Sequence, residues 1–353
     1  MKRALFTTLQ VLITVGALWF VFRDGAKRAE MADAIVDARA LWLILGFLFY
    51  GMVELSAVVR WQVLLQVQNV HLSWARVLAL VMIGVFFNFF IPGGTGGDAV
   101  KIFYLLKETP GHRTGALLSV LVDRMIGLFA LIVAAGVIIA LKWSWLTGNP
   151  HTAHWIWITL AVLGASLGFL IMSFVVTGFR LVHKLPARLP GRDKLAELAL
   201  AYHQYARCWR ASLTAFAISI FAHFGYWFTY YCAARSLATP TTVLPRFAEF
   251  MSIMPVVSTI TSLPISIGGI GWREVIFQTF LSNLSHASEG VAVAISTTGY
   301  VLTLAWGLIG GLMYLAYRPS KHARLRDIRS EVKEFEHEVA EREIALETKP
   351  DAP

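Results

Sequence analysis

Six stretches of this chain, residues 4–22, 40–65, 114–141, 155–177, 211–235 and about 290–317, stay apolar for roughly 19 residues or more. A helix of that length crosses the ~30 Å of hydrocarbon in a bilayer. No soluble domain has room for six such helices in its core. Composition agrees: 57% of residues are hydrophobic and 15% charged, with a mean hydropathy of +0.62. A typical soluble chain is about 25% charged. The sequence therefore predicts an all-α polytopic membrane protein and excludes soluble enzyme folds. The first stretch follows Lys2 and Arg3, as the core of a signal peptide would. It is long for that role and reads as an uncleaved span.

Two further apolar stretches are too short to span. Residues 77–91 stop at Pro92, before Gly-Gly-Thr-Gly-Gly at 93–97; residues 250–263 stop at Pro264, before Ile-Ser-Ile-Gly-Gly-Ile-Gly at 265–271. A second short apolar piece follows each, at 99–106 and 275–281. Half-helix, broken backbone, half-helix is the pattern of a re-entrant hairpin, which is tolerated at membrane depth only where protein or a cavity surrounds it. The two breaks align at an offset of 172: Pro92, Gly96, Gly97 and Lys101 fall on Pro264, Gly268, Gly269 and Arg273. The flanking spans align too, giving repeats over about 40–141 and 212–317. One span, 155–177, separates the repeats, and an odd number of crossings inverts the second copy. The expected architecture is about six full spans plus two re-entrant broken-helix hairpins in an inverted repeat, the hairpins entering from opposite faces and meeting near the midplane.

Charge sets the orientation. The loop at 178–210 carries Arg180, Lys184, Arg188, Arg192, Lys194, Arg207 and Arg210, and five more basic residues fall in 318–329. The opposite loops, 142–154 and 282–289, carry Lys142 alone. The positive-inside rule then puts both termini in the cytoplasm of a cytoplasmic (inner) membrane protein. Loop 23–39, with four basic and four acidic residues outside, is the misfit. The net charge of +9 suits loops facing anionic lipid rather than nucleic acid. Leu195, Leu198, Tyr202, Tyr205 and Trp209 share one helical face, fitting either an interfacial helix or a loop helix packed on the bundle. Residues 318–353 form a separate charged tail after the 1–317 membrane domain. In it Leu325, Ile328, Val332, Phe335 and Val339 make a short heptad-like stripe. That stripe fits homo-oligomer formation, docking to an envelope-synthesis partner through 325–346, or a solvated helix. Cys208 and Cys232 form no CxxC and no metal spacing, and no disulfide is expected.

Candidate binding groups gather at the breaks. A half-helix that starts after a glycine cluster has free N–H groups and a positive dipole end, which suits a phosphate or carboxylate. Glycine clusters also serve simply to let helices pack closely. Gly96, Gly97, Gly268 and Gly269, with Lys101 and Arg273 one turn in, are candidate headgroup contacts. Ionisable groups inside spans are costly and default to functional candidates. Asp123 and Arg124 are sequence neighbours pointing ~100° apart, so each needs its own partner. Asp98 at a half-helix start is placed to position a cationic headgroup, a hydroxyl or Lys101, and Glu274 stands beside Arg273. Glu54 and Arg60 lie in one span. His223 is either a proton relay or a neutral donor to a helix carbonyl. Asn88 either contacts substrate or satisfies the freed backbone. Asp98, Asp123, Glu274 and His223 are candidates to carry protons in coupled transport. Gly94-x-Gly96-x-x-Ala99 matches a loose dinucleotide fingerprint but lacks a βαβ setting. The sequence holds no Walker A motif, acyl-transfer triad, HExxH or metal cluster. Neither enzymatic activity nor a cofactor is expected.

Three segments carry a family resemblance: Asn88-Phe-Phe-Ile-Pro-Gly-Gly-Thr-Gly-Gly-Asp98, Val122-Asp-Arg-Met-Ile-Gly127 and Leu263-Pro-Ile-Ser-Ile-Gly-Gly-Ile-Gly-Trp-Arg-Glu274. With these, residues 5–317 resemble the flippase-like integral membrane family. That family includes the transmembrane region of lysylphosphatidylglycerol synthase/flippase and related hopanoid- and dolichol-pathway membrane proteins. The resemblance implies translocation of a phospholipid or polyprenyl-type lipid, with an anionic phospholipid or polyprenyl phosphate held at the two breaks. It does not imply aminoacyl transfer, for which the soluble domain is absent from this sequence. Two other readings compete: a non-transporting partner of an envelope lipid or glycan synthesis complex, and a lipid-linked glycosyl transferase.

Overall fold

A computed structural model of the chain describes residues 19, 23, 25–91, 96–109, 112–178, 204, 205, 207–240, 242–263, 266 and 269–317. These form eleven helices: α1 Gly25–Val36, α2 Ala40–Val67, α3 Trp74–Phe90, α4 Gly96–Glu108, α5 Arg113–Leu141, α6 Trp143–Thr147, α7 Pro150–Gly178, α8 Trp209–Ser236, α9 Phe247–Thr261, α10 Trp272–Ser285 and α11 Glu289–Ala316. The expected span at 4–22, the 195–202 part of the interfacial stripe and the 325–346 stripe lie outside the described residues.

Five helices, α2, α5, α7, α8 and α11, are long and apolar enough to cross a membrane. The protein is thus an all-α polytopic membrane protein. Each long helix is two-faced. On α2, Leu41, Ile44, Leu48, Met52, Leu55 and Val59 form an exposed stripe at three- and four-residue spacing. An apolar stripe of that length belongs against lipid. The opposite face buries Tyr50, Glu54, Val58, Trp61 and Leu64. α1 and the short α6 had no signal in the apolar runs, being half-polar connectors beside the spans.

Helix directions follow from paired contacts. α2 and α8, the matching first spans of the two repeats, run antiparallel: Trp42 meets Tyr231, Phe49 meets Phe228, Tyr50 meets Tyr226 and Arg60 meets Ser219. α5 is antiparallel to α2, with Asp123 on Arg60 and Ser119 on Trp61. α11 runs parallel to α2, with Leu302 against Gly46 and Trp306 against Gly51. Equivalent spans therefore point in opposite directions, as inversion of the second copy requires.

The short helices pair as two hairpins, α3–α4 and α9–α10. The base of the first sits at the C-terminal end of α11, where Glu108 accepts from the Tyr317 hydroxyl (2.9 Å) and pairs with Arg76. The base of the second sits beyond the far end of α5, where Asn283 meets Asn149 (3.3 Å). The glycine face of α11 seats the first hairpin. A Cβ added at Gly307, Gly310 or Gly311 would strike Phe89, the Met82 backbone or Phe86. Small residues that let helices approach are the ordinary device for packing in lipid, where apolar transfer gives no driving force between helices.

Candidate functional site

At the first break, the amide of Gly97 donates to Asn88 Oδ1 at 3.0 Å. A side chain from α3 thus does for α4 what an N-cap does, satisfying one N–H that the helix start leaves free. Of the two roles open to Asn88, this is the backbone one. Gly97 has to be glycine: a Cβ there would overlap the Gly84 carbonyl and the Asn88 side chain. Gly96 is pressed against Ile91 in the same way. Residues 92–95 lie outside the described residues.

Behind this break α2, α4, α5 and α8 bring a cluster of charges together. Asp123 accepts two bonds from Arg60, from Nε at 2.7 Å and Nη2 at 3.0 Å, while Arg60 Nη1 donates to Ser219 at 3.0 Å. Arg124 turns the other way and donates to Asp98 at 2.6 Å. The neighbours in sequence thus have separate partners, as their 100° offset demands. Asp98 is engaged by Arg124 rather than by Lys101. The side chains of Arg60 and Asp123 are 13% and 7% exposed, whereas that of Arg124 is 56% exposed. The first pair is a closed clamp and the second opens onto accessible space.

Lys101 differs from both arginines. It is 6% exposed, and its ammonium lies 3.5 Å from the centre of the Trp61 ring. The ring is fixed from behind by its Nε1–H bond to Ser119 (3.2 Å). Among the described residues no carboxylate comes within ion-pairing distance of Lys101. A desolvated cation on an aromatic face gains about 2 kcal/mol, which offsets part of the burial cost and leaves the N–H donors that point away from the ring uncommitted. Glu54 is the matching acid, 6% exposed, one helical turn after Tyr50 and lying in the field of Arg124, Arg60 and Lys101. His223 Nε2 lies 2.9 Å from the Gly127 carbonyl. A carbonyl only accepts, so this nitrogen carries the hydrogen and ties α8 to α5.

The second break is self-contained. Gly269 and Gly271 have φ of +74° and +78°, a left-handed backbone that strains any residue with a Cβ. Glu274 Oε2 accepts from the Gly271 amide (2.6 Å), and Oε1 accepts from Arg273 Nη2 (2.9 Å) and Ser296 Oγ (3.0 Å). Arg273 Nε also donates to Ser296 (3.2 Å), and the guanidinium lies 4.1 Å over the Tyr300 ring. Arg273 and Glu274 therefore close on each other, in contrast to the expected pair of open cationic ends. Gly268 lies outside the described residues. Tyr300 also meets Phe89 at 5.5 Å, so this ring bridges the neighbourhoods of the two breaks.

The structure thus gathers Asn88, Gly96, Gly97, Asp98, Lys101, Asp123 and Arg124 on one side, and Gly269, Arg273 and Glu274 on the other. Arg60 and Glu54 belong to the first group, and their signal in the sequence was charge inside an apolar run. Trp61, Tyr50 and Ser219 belong there too. Nothing in the sequence separates them from other span residues. Among the described residues no group of three metal-ligating side chains occurs.

A bundle of long apolar helices around two broken hairpins, with charge held inside, defines a polytopic membrane protein built for polar contact at depth. The chain belongs to the family described as the lysylphosphatidylglycerol synthase transmembrane region, whose model matches residues 7–311. It is 30% identical over 135 residues to a UPF0104 membrane protein of Pyrococcus horikoshii, a match covering 38% of this chain and 39% of that one. It is 20% identical to a UPF0104 membrane protein of Methanothermobacter thermautotrophicus, covering 87% of this chain and 93% of that one.

Proposed function

We propose that this protein translocates an anionic lipid across the cytoplasmic membrane, its phosphate resting on Lys101. The observation that carries this reading is charge left over after pairing. Arg60 and Arg124 are each committed to an aspartate, while the Lys101 ammonium is buried on Trp61 with no acid beside it. A phosphate is the ligand that such a cation, at the start of a half-helix, accommodates best. The half-exposed Arg124–Asp98 pair marks the side from which a headgroup enters. Lipid tails stay in the bilayer, against the exposed apolar faces of the long helices. Anionic phospholipids and polyprenyl phosphates both present the required group. Transport is favoured over catalysis because Asp98, Asp123 and Glu274 are engaged in ion pairs rather than aimed at a reaction centre.

The same reading puts both termini in the cytoplasm. Tyr205, next to the basic 178–210 loop, donates to the Leu64 carbonyl at 3.0 Å, at the end of α2. Tyr317, just before the basic 318–329 segment, meets Glu108 at the base of the first hairpin. Both basic segments thus leave from one end of the bundle. The test is leaflet exchange in proteoliposomes carrying headgroup-labelled phosphatidylglycerol or polyprenyl phosphate, read with an impermeant quencher. Wild type accelerates exchange, and Lys101→Met, which keeps the stem on Trp61 but not the charge, loses it. Equal exchange by a folded Lys101→Met protein sinks the assignment of the phosphate site.

A further inference from the structure

We infer that an anion binding at Lys101 brings a proton onto Glu54, so that the headgroup crosses together with one proton; the inference rests on the lipid reading above. The cluster holds three cations, Arg60, Lys101 and Arg124, and three acids, Glu54, Asp98 and Asp123, of which Arg124 alone is exposed. It is neutral as it stands. Arg60 with Asp123 is a closed pair, and Arg124 is engaged by Asp98 on the open side of the cluster. Lys101 and Glu54 are the two charges left without an ion-pair partner at contact distance; both are buried, and Glu54 shares the buried face of α2 with Trp61, the ring on which Lys101 rests.

An anion seated on Lys101 breaks that balance and leaves the cluster one negative charge in excess. An uncompensated charge at membrane depth is expensive, and a buried group escapes that cost by changing its protonation. Three carboxylates are available to take the proton. Protonating Asp123 forfeits a two-pronged bond to Arg60, and protonating Asp98 forfeits the 2.6 Å bond to Arg124. Protonating Glu54 forfeits no ion pair.

The surroundings of Glu54 on every packed helix fit this assignment. Its own helix contributes Tyr50 and Arg60, α4 contributes Lys101 and α5 contributes Arg124. α8 brings Tyr226 against Tyr50, and α11 turns the uncharged Leu302 and Trp306 to this face. The only charged side chain of α3, Arg76, is held by Glu108 at the hairpin base. The proton comes from solvent when the anion enters and returns to solvent when it leaves. The pair crosses with no net charge moved, and Glu54 serves as a positioning and charge-balancing residue without touching the lipid.

The test is calorimetric titration of the full-length protein in detergent with dihexanoyl phosphatidylglycerol, a phosphodiester whose own charge is constant near neutral pH. Titrations in Tris and in PIPES, which differ in ionisation enthalpy, count the protons exchanged. Wild type takes up close to one proton per lipid bound, and its affinity falls up to tenfold per pH unit as pH rises. Glu54→Gln binds with no proton uptake and with pH-independent affinity. Binding without proton uptake in wild type overturns the coupling and leaves the phosphate site standing. Uptake that persists in Glu54→Gln also overturns the assignment to Glu54. No binding by wild type overturns both readings. If Glu54→Gln fails to fold, the wild-type proton count decides the coupling and Glu54→Asp, with its carboxyl drawn back by one methylene, decides the residue: an unaltered pH profile there counts against it.

Discussion

Asp123 sits in a charged motif inside a span, and two roles fit such a residue: ligand for a substrate, or half of a structural clamp. The geometry selects the clamp, and Asp123→Asn separates the two. Asp123 receives two bonds from Arg60, at 2.7 and 3.0 Å, with side chains 13% and 7% exposed. Removing one charge of a buried pair leaves the other uncompensated, at a cost of about 3–5 kcal/mol. Arg60 keeps its bond to Ser219, which is common to both proteins and leaves the difference unchanged. The expectation is a loss of about 3–5 kcal/mol in the stability of the α2–α5–α8 junction. Replacing both partners, as Arg60→Met with Asp123→Leu, removes the stranded charge and is expected to recover most of that loss. The coupling between the two sites is then large and of the sign that a mutual clamp demands.

The assay is reversible unfolding in mixed micelles with increasing sodium dodecyl sulfate, followed by far-ultraviolet circular dichroism, for wild type, both single variants and the double variant. Each is also titrated with dihexanoyl phosphatidylglycerol. A clamp gives unstable single variants and a rescued double variant. The reasoning is refuted if Asp123→Asn unfolds with wild type while losing lipid binding, which would make Asp123 a ligand whose bond to Arg60 contributes little.

Three further outcomes follow from the same contacts. Gly97→Ala is expected to lower the unfolding midpoint clearly, because the new methyl overlaps the Gly84 carbonyl and Asn88; a midpoint equal to wild type would mean that α3 and α4 have room to separate. Asn88→Leu removes the acceptor of the Gly97 amide and is expected to cost about 1 kcal/mol, the usual worth of an N-cap, read in the same unfolding series. In a Cys208→Ser background, Arg124→Cys is expected to react with a water-soluble thiol reagent, because its side chain is 56% exposed, whereas Ser296→Cys, fully buried, is expected to stay unmodified; equal labelling of both would remove the reason for treating the Arg124 side as the open one.

Much of this architecture was legible because lipid imposes simple rules. A span must be long and apolar, and a Pro-Gly interruption must be a break, so the five long helices and the two pairs of short ones are placed by the sequence to within about five residues at each end. The offset of 172 carried the inversion, and the antiparallel contacts of α2 and α8 agree with it. Partners were less legible. The 100° offset between Asp123 and Arg124 said that they part, but only the packing of α2 and α4 around α5 names Arg60 and Asp98. Trp61 was invisible as a site residue: a tryptophan in an apolar run carries no mark until Lys101 is seen on its face. Glu54 and Arg60 were visible as costly charges, yet their roles, one left over and one clamped, depend on distances that no spacing encodes.

The two halves of the repeat share a backbone plan and differ in how they spend their charge. At aligned positions stand Lys101, in the second turn of α4, and Arg273, the second residue of α10 rather than one turn in, each resting on an aromatic ring, Trp61 or Tyr300. The residue just after Arg273 is Glu274, which binds it and caps its own helix start through the Gly271 amide. The residue just after Lys101 is Ile102, so no acid is at hand. The first break takes its cap instead from Asn88, a neutral side chain, which satisfies the backbone without cancelling the ammonium. Inversion thus supplies two similar frames, and a single difference in the following residue makes one a closed brace and the other an open cation. The plan thus holds one open cation rather than two, and the Tyr300 ring, in contact with both Phe89 and Arg273, lies between the two breaks.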